Sequence, residues 1–205
     1  MAPCRWTSPR SSTAKVLPMP RIEAENLPEH RRLVHERVFS AFAELMAERA
    51  YDAITMAQIA ERAGLRRTAI YHHFHDKDSV VVAFATHETT RYVESLEELL
   101  AGTDDPAERL RIYVRNHLAS GERFHMGLGP QLYGVLPESS RAEIREHVLA
   151  VEQVLQGILK DGIDRGAFTA TDVAAATSLI HACLSPRHLP PAEIEEFVLR
   201  AVGAR

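Results

Sequence analysis

Arg66, Arg67, Thr68, Tyr71 and His72 bring two guanidinium forks, two hydroxyls and an imidazole into one short stretch. These donor types suit phosphate oxygens and the major-groove edges of bases. At helical spacing Arg67, Thr68, Tyr71 and His72 fall on one side, and Ala69, Ile70, His73 and Phe74 on the other. One side packs and the other is presented. A helix fits the major groove, so double-stranded DNA is the partner this chemistry implies. The same spacing also fits an ordinary helical hairpin with a solvated polar face, and spacing by itself does not choose.

The element that must position these donors precedes them. Thr55 and Gln58 have capping-box spacing, which starts a helix at Thr55. Met56, Ile59, Ala60 and Ala63 recur at helical spacing, and Gly64 then supplies the backbone freedom for a tight turn. The run ITMAQIAERAGLRRTAIYHHFHDK, residues 54–77, therefore reads as a helix-turn-helix.

That run closely resembles the signature of the TetR family of transcriptional regulators. The matching residues are Thr55, Ile59, Ala60, Ala63, Gly64, Leu65, Ile70, Tyr71, His73, Phe74 and Lys77, in one ungapped alignment. The similarity extends upstream through LMAERAYDAIT and downstream into a helix starting near Asp76, about a quarter of the chain in all. The resemblance makes Lys77 a phosphate contact. Candidate DNA-contacting residues are thus Thr55, Arg66, Arg67, Thr68, Tyr71, His72 and Lys77. Three positions depart from the family pattern. Ala50 stands where glycine is usual, at a cost of about 1 kcal/mol if the turn needs a left-handed residue there. Arg66 replaces a capping serine and adds a cation facing DNA, and His75 replaces a small residue or proline.

At 205 residues the chain can form one large or two small domains with a sizeable core. It contains no apolar run of membrane-spanning length and no signal-like apolar stretch at its start, so a cytoplasmic location is expected. Cys4 and Cys183 have neither metal nor redox spacing. The net charge of −4 divides into +2 over residues 1–28, zero over 29–80 and −6 over 81–205, which keeps negative charge away from the DNA face. His30, His35, His72, His73 and His75 form a charge reserve expected to strengthen phosphate contacts as pH falls towards about 6.5. Prolines and serines mark residues 1–28 as a disordered tail, and Arg5, Arg10, Lys15 and Arg21 suit either a flexible arm along DNA or a solvated extension without a role.

The expected fold is all-α, with about nine helices. Residues 29–77 form the helix-turn-helix DNA-binding domain, and residues 78–205 a helical effector-binding and dimerisation domain. A first helix over 29–49 roofs the reader, and Asp76 caps a long helix reaching about residue 100 that links the domains. Asp105-Pro106 with Glu108 starts a helix reaching about residue 121, and Gly127, Gly129, Pro130 and Gly134 then break the pattern. Ser140 with Glu143 repeats capping-box spacing ahead of a stripe through Ile144, Val148, Val151, Leu155, Ile158 and Leu159. Two helices follow, over about 171–184 and 191–202. The first is rich in alanine, and the second carries Ile194, Phe197, Val198 and Ala201.

In the family this resembles, the final helix pair packs on its symmetry mate as a four-helix bundle. A homodimer is therefore expected, although both stripes could instead close the monomer's own core. The resemblance further implies a repressor released from its operator DNA by a small-molecule effector held among the later helices. Candidate lining residues are Phe84, His87, Tyr113, His117, His125, Met126, Tyr133 and His181, although each by itself suits a core position as well. Two other readings compete. One is a helical metal-binding or metal-responsive protein, given eleven histidines, with His72 and His75 three apart and His117, His125 and His181 able to converge. The other is a DNA-binding regulator without a ligand. The chain has no HExxH, paired CxxC or GxSxG, so no enzyme, metal site or cofactor is assigned.

Overall fold

The computed structural model describes residues 27–124, 136–184 and 189–204, and among them every regular element is helical. The N-terminal tail, the glycine-broken segment and, with it, His125, Met126 and Tyr133 lie outside the described residues. There are eight α-helices among these residues: α1 (Leu27–Glu48), α2 (Met56–Arg62), α3 (Arg67–Ile70), α4 (Lys77–Leu100), α5 (Pro106–Phe124), α6 (Glu138–Asp164), α7 (Val173–Leu184) and α8 (Pro191–Ala201). A short 3-10 turn, Tyr51–Ala53, separates α1 from α2.

α1 buries Val34, Val38, Phe42 and Leu45, a stripe at intervals of three and four residues that sits on α2 and α4. Its exit differs from expectation. Ala50 has φ −64° and ψ 149°, extended backbone that any residue adopts, so alanine there carries no left-handed penalty. The left-handed residue comes later, at Gly64 with φ +66°, in the turn between α2 and α3. A side chain there would be doubly opposed, because a Cβ would lie 2.8 Å from Nη2 of Arg37. That guanidinium donates to the carbonyls of Ala63 and Gly64, which pins the turn to α1.

Side-chain caps open four of the eight helices. Thr55 and Gln58 form the expected capping box, and Asp76 with Ser79 forms a second one for α4, with Ser79 N 2.7 Å from Asp76 Oδ1. Asp105 accepts from the amides of Ala107 and Glu108 ahead of Pro106 at the first helical position. Asp172 accepts from Ala175 N at 3.0 Å and opens α7. The Ser140 expectation fails: α6 begins two residues earlier, at Glu138, and Ser140 is buried in its first turn. Pro137, whose ring presets φ, stands at the cap without a side-chain hydrogen bond. α6 then runs to Asp164, and Gly166 at φ +71° follows it.

Two apolar clusters result. The first joins α1, α2 and α3 to Val80, Val81, Phe84 and Ala85 of α4, and Leu136 and Ile144 reach it from the start of α6. The second gathers Tyr92, Leu96 and Leu100 of α4 with α5, α6, α7 and α8. α4 therefore contributes its first turns to one core and its last turns to the other. No helix among the described residues is long and apolar enough to cross a membrane.

Candidate functional site

α2 and α3 pack against α1 so that the presented side is the one the spacing predicts. Ile70 and Phe74 are buried and Ala69 and His73 half-buried, whereas Arg67, Thr68, Tyr71 and His72 are exposed, Tyr71 by 49 %. α3 is shorter than the pattern suggests. Only Arg67–Ile70 is α-helical, a turn carries residues 71–73, and the amides of His73 and Phe74 still bond to the Ile70 carbonyl. Arg66 precedes α3 in extended conformation with its side chain exposed and making no capping bond. Thr55 is exposed at the head of α2, where its hydroxyl serves the capping box.

Lys77 is placed differently from a freely projecting phosphate contact. Its ammonium donates to the carbonyls of Tyr51 at 2.8 Å and Ile54 at 3.0 Å, and lies 3.9 Å from the centroid of the Tyr51 ring. Two of its three donors are committed, which leaves one for any phosphate. The Tyr51 hydroxyl bonds to the Asp78 carboxylate, and burial together with that carboxylate pushes the phenol well above its ordinary range. The first turn of α4 thus grips the 3-10 turn through Lys77, Asp78 and the Tyr51 ring. Sequence reasoning missed Tyr51, Asp78 and Arg37, because nothing in their spacing marks contacts between residues 26 and 27 positions apart.

The proposed effector residues do not form one group. Phe84 and His87 face α1, where the Phe84 ring meets Phe42 at 5.4 Å and Phe39 at 6.1 Å, and His87 lies 4.9 Å from Phe39. With Glu36, Ser40, Ala43, Glu88 and Arg91 they line an open groove of about 670 Å³ at the crossing of α1 and α4. Tyr113, His117 and His181 do come together, inside the second cluster. The Tyr113 hydroxyl lies 3.0 Å from Nε2 of His181, and His117 stacks on both rings at 6.0 and 6.1 Å.

Tyr92 of α4 completes this group, edge-on to His117 at 6.5 Å. Burial pushes the Tyr92 phenol up to about 12 and raises Tyr113 further, while it lowers His181 against an upward pull from Glu152. Both partners therefore resist charging, and the histidine tautomer sets which of the Tyr113 hydroxyl and the imidazole nitrogen donates. Tyr92 and Glu152 were not singled out from sequence. Their only signal was a polar atom within an apolar stripe. Among the described residues, no group of three or more His, Cys, Asp or Glu is arranged to hold a metal ion.

The charge reserve also divides. His72 and His75 are exposed, but His35 and His73 are half-buried and held below the ordinary imidazole value, first by burial and then by neighbouring positive groups.

α8 splits its expected stripe between two faces. Ile194 and Val198 join the second core together with Val202, whereas Phe197 is 54 % exposed and Ala201 is exposed too. Phe197, Leu189 and Cys183 line a second open groove, of about 480 Å³, and Leu179 of α7 is 67 % exposed.

Comparison with known proteins agrees with this geometry. A family model for bacterial regulatory proteins of the tetR family matches residues 38–84, and one for the tetracyclin repressor-like C-terminal domain matches residues 106–198. The HTH-type transcriptional repressor AcnR of Corynebacterium efficiens is 30 % identical over 148 residues, which cover 67 % of this chain and 70 % of that protein. The fatty acid metabolism regulator protein of Bacillus subtilis is 25 % identical over 158 residues, 74 % of this chain and 80 % of that one. Among solved structures, the transcriptional regulator FadR from Bacillus subtilis in complex with stearoyl-CoA superposes with a TM-score of 0.70 at 20 % identity, covering 82 % of this chain and 97 % of that chain. With a helix-turn-helix whose donors face outward and a second helical core joined to it by α4, this chain belongs to the TetR family of bacterial transcriptional regulators.

Proposed function

We propose that this regulator is a homodimeric repressor that binds operator DNA through residues 29–77 and is released by a small molecule bound within residues 78–205. The observation that carries the reading is the exposed row Arg67, Thr68, Tyr71 and His72, backed by buried Ile70 and Phe74. Thr55, Arg66 and the remaining donor of Lys77 extend that row towards phosphates. Pairing is supported by the apolar side chains on the outside of α7 and α8, Leu179, Leu189 and Phe197, which a second copy would cover. We read the protein as non-enzymatic and cytoplasmic, where its DNA partner resides.

The effector site is placed by the same reading at Tyr92, Tyr113, His117 and His181, contributed by α4, α5 and α7, where polar atoms interrupt an apolar core. Because the Bacillus relatives are named for fatty acid metabolism and for a stearoyl-CoA complex, fatty acyl thioesters are the first compounds to try.

The test is binding to DNA flanking the protein's own gene at several salt concentrations, against unrelated DNA. Selective binding with a steep salt dependence is expected. Tyr71→Ala should weaken that binding by about 1 to 3 kcal/mol while leaving the fold intact. Equal affinity for both DNAs, or an unaltered Tyr71→Ala variant, would sink the proposed docking. Acyl thioesters that release DNA and raise the melting temperature would support the effector site.

A further inference from the structure

Three histidines from three elements converge behind the DNA-reading surface. His35 comes from α1, His73 from the turn that ends α3, and His87 from α4. The rings of His35 and His73 lie 5.5 Å apart at 77°, and His35 also sits 4.7 Å from Phe74 and 5.8 Å from Phe39. Phe39 passes the contact on to His87. Nε2 of His35 and Nδ1 of His73 are fully buried, and neither has a hydrogen-bond partner. Such atoms are tolerable on a neutral ring and far less so on a charged one.

The groups that act electrostatically on this pair are all basic. Arg31 and His30 approach from α1, His72 from the end of α3 and His87 from α4. Two acids on the walls of the α1/α4 groove are engaged elsewhere: Glu36 pairs with Arg32, and Glu88 lies 3.8 Å from Arg91. No carboxylate is among the groups that act on His35 or His73. An imidazolium formed here would have neither a hydrogen bond at its buried nitrogen nor a counter-charge.

We propose that His35 and His73 make the DNA reader an acid-sensitive switch, in which proton uptake parts α1 from the end of the recognition helix and specific DNA binding is lost. The inference rests on the DNA-binding reading above. α3 is a single α-helical turn held in the first core by Ile70, and the turn that ends it rests on α1 through His73 and Phe74 against His35 and Phe39. In the packed reader both rings resist protonation, whereas in a parted one they titrate near the ordinary value of about 6.5. Their packing is therefore fully favourable above about pH 6.5 and is progressively lost as pH falls below it towards their depressed folded-state values. Acid thus weakens selective binding.

The experiment uses the full-length protein and a duplex selected from random DNA at pH 8. Its affinity and that for unselected DNA are measured from pH 8 to pH 5.5 at constant ionic strength, with and without a chelator. The wild type should lose about tenfold or more in selectivity. The double variant His35→Phe, His73→Gln should lose less than about twofold. Identical profiles for wild type and variant would overturn the proposal, and so would a pH effect abolished by the chelator. If the variant does not fold, ring-proton NMR of the wild type decides, since His35 and His73 titrating at or above 6.5 is the contrary result. If no duplex is selected at pH 8, the DNA-binding reading fails. Hydrogen exchange still tests the joint, because α1 and α3 must lose protection in acid before α6 and α7 do.

Discussion

Histidines meet aromatic rings twice in this protein, and the two groups differ in what their nitrogen atoms find. In the reader the partners are Phe39 and Phe74, whose rings offer no acceptor or hydroxyl, so buried atoms of His35 and His73 go without a hydrogen bond. In the second domain Tyr113 brings a hydroxyl to His181 at 3.0 Å, and His117 stacks on both. One oxygen atom separates a satisfied buried pair from an unsatisfied one, and this changes what a proton does to each. The first group becomes a joint that charging would open. The second already pairs its own polar atoms.

The comparison breaks most visibly if either core is hollowed. Phe42 is 1 % exposed and packs on Phe84, so Phe42→Ala should cost about 3 to 5 kcal/mol. Hydrogen exchange should then show α1 to α3 opening while α5 to α8 keep their protection. Loss of protection in both regions together would mean that α4 makes them one cooperative unit. Tyr113→Phe makes the second group resemble the first by leaving Nε2 of His181 without its hydroxyl. About 1 to 3 kcal/mol of stability should go, as seen in denaturant midpoints.

Asp76→Ala removes the cap of the helix shared by both cores, and about 1 kcal/mol is expected from melting. The smallest effect concerns pH. Burial keeps His181 below its ordinary value, so its contribution is present above about pH 6.5 and declines as pH falls through its folded-state value. His181→Gln should flatten that part of the stability profile slightly, and a steeper profile in the variant would contradict the assignment.

Much of the reader was legible in order along the chain. The capping boxes at Thr55 and Asp76, the glycine at 64 and the alternation from Arg67 to Phe74 are local signals, and local hydrogen bonds and sterics obey them. Ser140 with Glu143 shows the limit of such patterns, since the same spacing occurs inside a helix that Pro137 has already begun. Lys77 shows another. The resemblance makes it a phosphate contact, but a turn 26 residues earlier in the chain takes two of its donors. The grouping of effector candidates failed for a related reason: periodicity places Phe84 and Tyr92 on the buried side of one helix but does not say that two different cores share that helix.

The sequence by itself determined the all-helical fold, the helix-turn-helix and the side of α3 that faces outward, because caps, glycine and a 3.6-residue period act through neighbours in the chain. Only the tertiary structure decided which histidines are buried without partners, which find a tyrosine hydroxyl, and how Lys77, Asp78 and Tyr51 bind α4 to the reader. Those outcomes depend on the angle and depth at which helices meet. Burial and charge then act across space between residues that no local spacing relates.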